Sequence, residues 1–335
     1  MAGFDKGMLI DAVKSWKGRK VVVFGDMILD EFIYGRTDRV SREAPVVIVR
    51  YDGSDHCPGG AGNAAQNVAA MGGRPVPVGM AANDDGGTRL REYFRERYIP
   101  TRGIVSIRGR ATTTKTRVMA GDFHAQRQQI VRIDREERGK LGSGEEDRLL
   151  SILEKKAAGA DAAILSDYGQ GIFSGRVIRR SIAICRKAGI PVVADSRFGI
   201  ERFNGVTTAT PNEVEAARAA EVDLNTRGAL EKTGRRLVEM LSSQSMLVTR
   251  GRFGMSLFIT GKKRIDIGVT GSPEATDVTG AGDTVVSAVT LSLAAGYDMK
   301  TAMILANTAA SVVVMKRGTA VASPEEIIRG LENAG

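Results

Sequence analysis

Three consecutive pieces, Ala162-Ala-Ile-Leu-Ser166, Arg176–Ala188 and Pro191-Val-Val-Ala-Asp195, decide the fold of this chain. The outer two are short apolar runs, which read as buried strands, and the middle one has the length and pattern of a helix. Upstream, Lys20-Val-Val-Val-Phe-Gly25 is a β-branched run closed by glycine, and Ala61–Met71 (AGNAAQNVAAM) is an Ala-rich helix small enough to pack closely on a sheet. Downstream, Glu213–Ala220 begins another helix and Met246-Leu-Val-Thr249 is another strand. Strand–helix units repeating every 25–35 residues imply an α/β fold, its mostly parallel sheet covered by helices on both faces. Ligands of such sheets bind in the loops at the strand ends. Two segments break the rhythm. Ala44–Tyr51 (APVVIVRY) and Thr112–Asp134 read as extended, with no helix beside them. They predict one α/β domain over 1–335 with a small β-rich lid built from segments 36–57 and 111–134.

The composition of the 335 residues, 42% hydrophobic and 26% charged, is that of a folded protein and excludes disorder and collagen-like repeats. Two cysteines, Cys57 and Cys185, are too few for a disulfide scaffold or a cysteine zinc site. With only His56 and His124, a Ser-His-Asp triad or a three-His zinc enzyme is not expected. Asp5, Lys6, Asp11 and Lys14 interrupt the apolar character of Met1–Lys20, so no signal peptide is expected. No apolar run reaches the about 18 residues of a membrane span. These readings predict a soluble, cytoplasmic protein.

Forty-eight basic against 39 acidic residues give +9, and Gly86–Arg138 alone holds 13 basic and 6 acidic residues. Such a window suits either a nucleic-acid backbone or a small anionic substrate. Arg89, Arg91, Arg95 and Arg97 alternate with Glu92 and Glu96 at helical spacing, which reads as a solvated helix face. No zinc-finger spacing or RNA-binding aromatic motif accompanies them, so no nucleic-acid partner is expected.

The chemistry is concentrated in Asp277-Val-Thr-Gly-Ala-Gly-Asp283, followed by an apolar helix over Thr284–Ala295. Gly280 and Gly282 let successive N–H groups point outward at a helix start, a ready-made anion site. Asp283 in the first turn would serve poorly as an anion ligand but well as the base for a hydroxyl attacking a phosphoryl group. An ordinary helix start with an acidic residue favoured by the dipole is the competing reading.

Four further motifs stand at element ends. Pro58-Gly-Gly-Ala-Gly-Asn63 allows close backbone approach and offers an amide at a helix start, or is a plain turn with an Asn cap. It is neither a Walker A loop nor a dinucleotide fingerprint. Gly25-Asp26-Met-Ile-Leu-Asp30 sets two carboxylates at a strand end, suited to polyhydroxyl ligands or to capping. Thr210-Pro-Asn212-Glu-Val-Glu215 either holds hydrated magnesium near phosphates or forms a capping box. Thr249-Arg-Gly251-Arg-Phe-Gly254 is a weak phosphate or nucleotide loop when taken alone.

Taken together, PGGAGN (58–63) and DVTGAGD (277–283), in this order and separation, resemble the two signatures of the PfkB/ribokinase superfamily of sugar kinases. The resemblance runs along nearly the whole chain. It implies a ribokinase-like fold with a β-lid, ATP and Mg2+ as cofactors, and phosphoryl transfer to a sugar hydroxyl. By motif, Asp283 corresponds to the catalytic base and Gly280, Ala281 and Gly282 to the anion hole. Asn212 and Glu215 match the magnesium and phosphate motif, and Thr249, Gly251 and Gly254 the nucleotide loop. Asn307 is placed for the adenine pocket, and Asp26, Asp30, Gly59, Gly60 and Asn63 correspond to sugar contacts. The resemblance also implies a homodimer joined through the lid.

A narrower resemblance is carried by GDMILDEFIYGRTDRVSREAPVVIV, SDYGQG, TPNEVE and LVTRGRFGMSLF. These look like the D-glycero-β-D-manno-heptose-7-phosphate kinases of bacterial ADP-heptose synthesis, which serves lipopolysaccharide precursors. Lys115-Thr-Arg117 matches the KxR segment of their lid. A substrate that already carries a phosphate needs cationic side chains, and Arg39, Lys115, Arg117 and Arg127 are the candidates. The implied reaction phosphorylates the anomeric hydroxyl to a 1,7-bisphosphate. Because the chain ends at Gly335, the nucleotidyltransferase half of the bifunctional versions is not expected. The chain departs from the heptose-kinase pattern in the lid at 120–125 (AGDFHA), at Asp195-Ser-Arg-Phe in place of Asp-Pro-Lys, and at Gln170 in place of lysine. Another sugar, sugar phosphate or nucleoside therefore stays open as acceptor, as does a non-catalytic basic binding protein on this fold.

Overall fold

A computed structural model describes residues 5–121, 127–137, 139–270 and 276–333. Residues 122–125 of the apparent lid insertion lie outside the described residues. The strands are β1 (Lys20–Gly25), β2 (Met27–Val40), β3 (Val47–Gly60), β4 (Arg74–Met80), β5 (Ile104–Val105), β6 (Thr113–Gly121), β7 (Gln128–Arg135), β8 (Ala162–Asp167), β9 (Val192–Ser196), β10 (Thr208–Ala209), β11 (Ser245–Thr249), β12 (Met255–Ile259) and β13 (Ile265–Ile267). The helices are α1 (Lys6–Lys14), α2 (Ala61–Ala70), α3 (Asp85–Glu96), α4 (Ser143–Ala157), α5 (Gly175–Lys187), α6 (Glu213–Ala219), α7 (Ala229–Met240), α8 (Ala281–Ala294), α9 (Met299–Val313) and α10 (Pro324–Asn333).

Six strands form a parallel sheet in the order β10-β9-β8-β1-β4-β5. In β1 every residue after Lys20 is buried, because successive side chains meet helices on opposite faces. Val21 and Val23 join Val68 of α2, Val286 of α8 and Leu305 of α9 in one core. Val22 and Phe24 join Leu149 and Leu153 of α4 and Val177 of α5 in the other. At the β10 edge the sheet continues into β11: Gln244 N–H donates to Thr207 O (3.1 Å) and Thr249 N–H to Pro211 O (3.0 Å). Strands β11, β12 and β13 are antiparallel to one another.

The two extended segments pair into one four-stranded sheet, β3-β2-β6-β7. It begins earlier than segment 36–57 allowed, because β2 starts at Met27, directly after the first core strand. Its first four residues are buried and its last three exposed, so the strand runs out of the core into solvent. Strand β7 is exposed along its whole length. Among the described residues, no helix is long and apolar enough to cross a membrane.

The chain visits β4 and β8 on opposite sides of β1, so sheet growth reverses direction there. The carboxyl ends of strands at such a reversal form the ligand crevice of open α/β sheets. Here those ends carry Asp26 after β1, Tyr168 after β8 and Arg197 after β9.

Candidate active site

The site is organised by the start of α8. Asp277 fixes the turn that precedes it: its carboxylate accepts the N–H groups of Thr279 (2.9 Å) and Gly318 (3.0 Å). Against a burial that raises it, these bonds hold Asp277 below the usual carboxylate range. Gly280 caps the helix in the left-handed region at φ 80°, and a Cβ there would lie 2.9 Å from Asn63 Nδ2. Glycine is needed at this position both for its torsion and for its lack of volume.

One turn on, Asp283 is buried at 4% exposure with both carboxylate oxygens engaged. Asn63 Nδ2 donates to Oδ2 at 2.7 Å, and the Tyr168 hydroxyl donates to Oδ1 at 3.1 Å. Burial pushes the Asp283 carboxyl up to about 6, against these two bonds, which lower it. Such a group is still mostly ionised at neutral pH and has basicity to spare for a hydroxyl proton. Asn63 is itself held in place. Asn67 Nδ2 donates to the Asn63 side-chain oxygen (3.2 Å), and Thr284 Oγ1 donates to Asn67 Oδ1 (2.8 Å). This buried ladder ties α2 to α8 and turns the Asn63 amide protons toward Asp283. Asn63 is therefore not the helix cap; Gly60 is, with no side-chain bond.

Asp283, Gly280 and Asn63 line a cavity of about 80 Å3 together with Asp30, Gly59, Gly60, Lys115 and Arg117. Asp30 is a lid residue within β2, not a second carboxylate at the end of the core strand. It lies over Gly59, where a Cβ would come within 2.5 Å of its Oδ2, and it accepts from Arg117 at 2.6 Å. The Arg117 guanidinium also stands 5.3 Å above the Phe32 ring. Lys115 faces Asp30 across the β2–β6 ladder, and burial followed by the charge of Arg197 lowers its ammonium from the usual range.

A second cavity, about 260 Å3, opens on the other side of the same helix start. It brings together Thr249, Gly251, Gly254 and Asn307 with Ala281 and Gly282, between the apolar side chains of Val278, Val285 and Val314. Asn307 Nδ2 donates to Gly268 O (2.9 Å) and to Thr270 Oγ1 (3.0 Å). The sequence-predicted nucleotide loop and helix thus meet around one apolar space, and only the α8 turn stands between it and Asp283.

Several of the expected site residues lie outside both cavities. Asp26 lines neither cavity. It is buried, and its Oδ2 accepts from the N–H groups of Tyr168 (2.8 Å) and Gln170 (3.2 Å), so it positions the loop that carries Tyr168. Burial and the neighbouring Asp167 push its carboxyl up to about 7. Arg39 is exposed near the outer end of β2, and Arg127 pairs with Asp52 (3.0 Å) above the Tyr34 ring; neither lines the cavity. Asn212 and Glu215 form the capping box, with reciprocal bonds of 2.9 and 3.0 Å, and line neither cavity. The helix-face reading of the basic window also changes. Arg89 pairs with Glu31 at 2.5 Å, and Arg91 donates to the carbonyls of Ala81 (2.6 Å) and Ala82 (2.7 Å). Of that window, Lys115 and Arg117 are the residues that reach the cavity.

Sequence reasoning named the stretches that hold Tyr168, Asp195 and Arg197 but did not assign these residues to the site. Tyr168 and Arg197 line the smaller cavity. Burial, then the charges of Asp283 and Glu215, push the Asp195 carboxyl well above its ordinary value, so it stands within electrostatic reach of both. The available signal was positional, since Tyr168 and Arg197 each follow directly on a parallel strand.

The fold and site define a sugar-phosphorylating enzyme of the ribokinase-like type, and the comparisons agree. The pattern of the pfkB family carbohydrate kinases matches residues 19–326, so the chain belongs to that family and is a phosphotransferase acting on sugar hydroxyls. It is 41% identical over 317 residues to the bifunctional protein HldE of Gluconobacter oxydans, covering 93% of this chain and 64% of that protein. It is 35% identical over 315 residues to the bifunctional protein HldE of Desulfatibacillum aliphaticivorans, covering 94% of this chain and 63% of that one. The chain thus spans somewhat less than two thirds of the length of these curated relatives. Arabidopsis thaliana ribokinase, solved with ribose and ATP, shares the fold at a TM-score of 0.72 and 18% identity, over 94% of this chain and 99% of its own. Escherichia coli phosphofructokinase-2 does so at 0.75 and 18%, over 94% and 98%.

Proposed function

We propose that this protein transfers the γ-phosphoryl group of ATP to the anomeric hydroxyl of D-glycero-D-manno-heptose 7-phosphate, forming the 1,7-bisphosphate. One observation carries the reading: a single helix start separates an apolar cavity from a small polar one whose buried carboxylate is held by two donors. A phosphoryl group passing from one to the other must cross the N–H groups of Gly280 to Gly282. Asp283 takes the hydroxyl proton, and the helix N-terminus stabilises the charge of the transferring group. Lys115 and Arg117 supply the positive charge that a phosphorylated acceptor needs, and the kinship with HldE proteins favours the heptose.

No three acidic or histidine side chains among the described residues converge on a metal position. The crowding of Asp195, Asp283 and Glu215 does fit a hydrated Mg2+ carried in with the nucleotide, which needs few direct protein ligands. Glu215 and Asn212 would hold its waters, and when bound it would neutralise phosphate charge. The lid also offers a docking face, since Val40, Val47, Ile133 and Val131 are all exposed. A second copy covering it would form a homodimer.

The test is ATP consumption against a panel of sugars and sugar phosphates, with Asp283→Asn as blank. Turnover confined to the heptose phosphate supports the full reading. Turnover of a neutral sugar instead keeps the kinase and removes the heptose. Turnover equal to the blank on every acceptor removes the proposal.

A further inference from the structure

Three cations line the polar cavity: Lys115, Arg117 and Arg197. Arg117 is committed to Asp30 at 2.6 Å, and both it and Lys115 belong to the lid strand β6. Arg197 differs from them in two ways. It is mounted on the core, directly after β9, where its N–H donates to Asp167 O (3.0 Å) and its carbonyl accepts from the Arg218 guanidinium. Its guanidinium stands 5.2 Å over the ring of Tyr168, the residue whose hydroxyl holds Asp283. Like Lys115, it is in no ion pair among the described residues.

An arginine fixed at its backbone, stacked on an aromatic face and facing a cavity without a counter-ion is prepared for an incoming anion. Its position tells which one. Arg197 shares the polar cavity with Asp283 and Gly280, and it is held from the end of core strand β9, so it faces the helix start from the core side.

We infer that Arg197 is a catalytic residue whose guanidinium contacts the γ-phosphoryl group of ATP, before and during its transfer. The inference rests on the kinase reading above. In the step, the sugar oxygen forms the new bond to the γ-phosphorus while the bond from that phosphorus to the β,γ-bridging oxygen breaks. The hydroxyl proton passes to Asp283, and ADP departs with the electron pair of the broken bond. The planar fork of Arg197 can meet two equatorial oxygens of the moving group at once.

The experiment needs no sugar. Dissociation constants of Mg·ATP and Mg·ADP are measured by calorimetry for the wild-type protein, Arg197→Ala and Arg197→Lys, with thermal melts checking that each is folded. Arg197→Ala should weaken ATP by about ten- to a hundred-fold, the range for losing a charge-assisted hydrogen bond, and leave ADP within about twofold. Arg197→Lys should fall between, and it carries the test alone if the alanine variant does not fold. Equal losses for both nucleotides, or unchanged ATP binding, overturn the inference. Unchanged ATP binding together with a raised KM for a sugar phosphate would assign Arg197 to the acceptor's own phosphate instead. Failure of the sugar-kinase reading shows separately, as a wild-type protein that turns over no acceptor.

Discussion

The two walls of the polar cavity are built on opposite principles. On the core wall, Asp283 is fixed by Tyr168 after β8 and by Asn63, Asn63 by Asn67, and Asn67 by Thr284, the last three bonds within the packed α2–α8 contact. On the lid wall, Asp30 and Arg117 face each other from strands β2 and β6, and beyond them β7 is exposed throughout. A reaction that tolerates little displacement belongs on the first wall, because buried, fully bonded groups have few alternative positions. Recognition of a particular acceptor belongs on the second, where side chains can change without disturbing a core. The contrast separates turnover from acceptor affinity, and substitutions on each wall test it.

The largest effect is expected from Asp283→Asn, which keeps the shape and removes the base. The kcat should fall by about 10³–10⁴ while ATP affinity stays within about twofold. An active variant would remove the core wall from the chemistry. Next comes Gly280→Ala, which forces a Cβ at φ 80° against the Asn63 amide; kcat should drop by about 10²-fold in initial-rate assays. On the lid wall, Lys115→Ala and Arg117→Ala should each raise KM for a sugar phosphate by about tenfold and leave KM for ATP unchanged. Equal changes in both constants would break the comparison.

A smaller effect sharpens it. Asp283 must be ionised to accept a proton and its carboxyl sits at about 6, so kcat/KM should fall as pH drops through that value. The Tyr168 hydrogen bond lowers the carboxyl, so Tyr168→Phe should move this acidic limb to higher pH, read from the pH–rate profile. Among the groups that act on Asp283 are Asn63, Tyr168, Asp30, Arg197 and Asp195, and none of them is altered in Arg39→Ala or Arg127→Ala. Those two variants should stay within about twofold of wild type, in keeping with the small contribution of exposed ion pairs.

Much of this was legible in the linear chain, and the reasons are local. The core strands are continuous apolar runs bounded by glycine or polar residues, and buried parallel strands have that pattern wherever they occur. The DVTGAGD turn carries its own instructions, because Gly280 alone accommodates the left-handed cap that aims the following N–H groups outward. The loop and helix expected to hold nucleotide lie together, since Thr249, Gly251, Gly254 and Asn307 line one cavity. Charge was the poor guide. Arg39, Arg89, Arg91, Arg117 and Arg127 are alike on the page, yet Arg91 is spent on backbone carbonyls, Arg89 and Arg127 on lid carboxylates, and Arg117 faces the site. An arginine's partner is set by what folds beside it.

The sequence by itself determined the core strands β1, β8, β9 and β11, the helices α2, α5 and α8 and the glycine turn before α8, because each depends on neighbours within a few residues. Only the tertiary structure decided that Asp26 supports a loop while Asp30 faces the cavity, that Asn212 and Glu215 cap a helix, and that Tyr168 and Arg197 join Asp283. Apart from the local Asn212–Glu215 box, those assignments depend on groups far apart in the chain, such as the Tyr168–Asp283 bond, which the reversal of strand order at β1 brings to one end of the sheet.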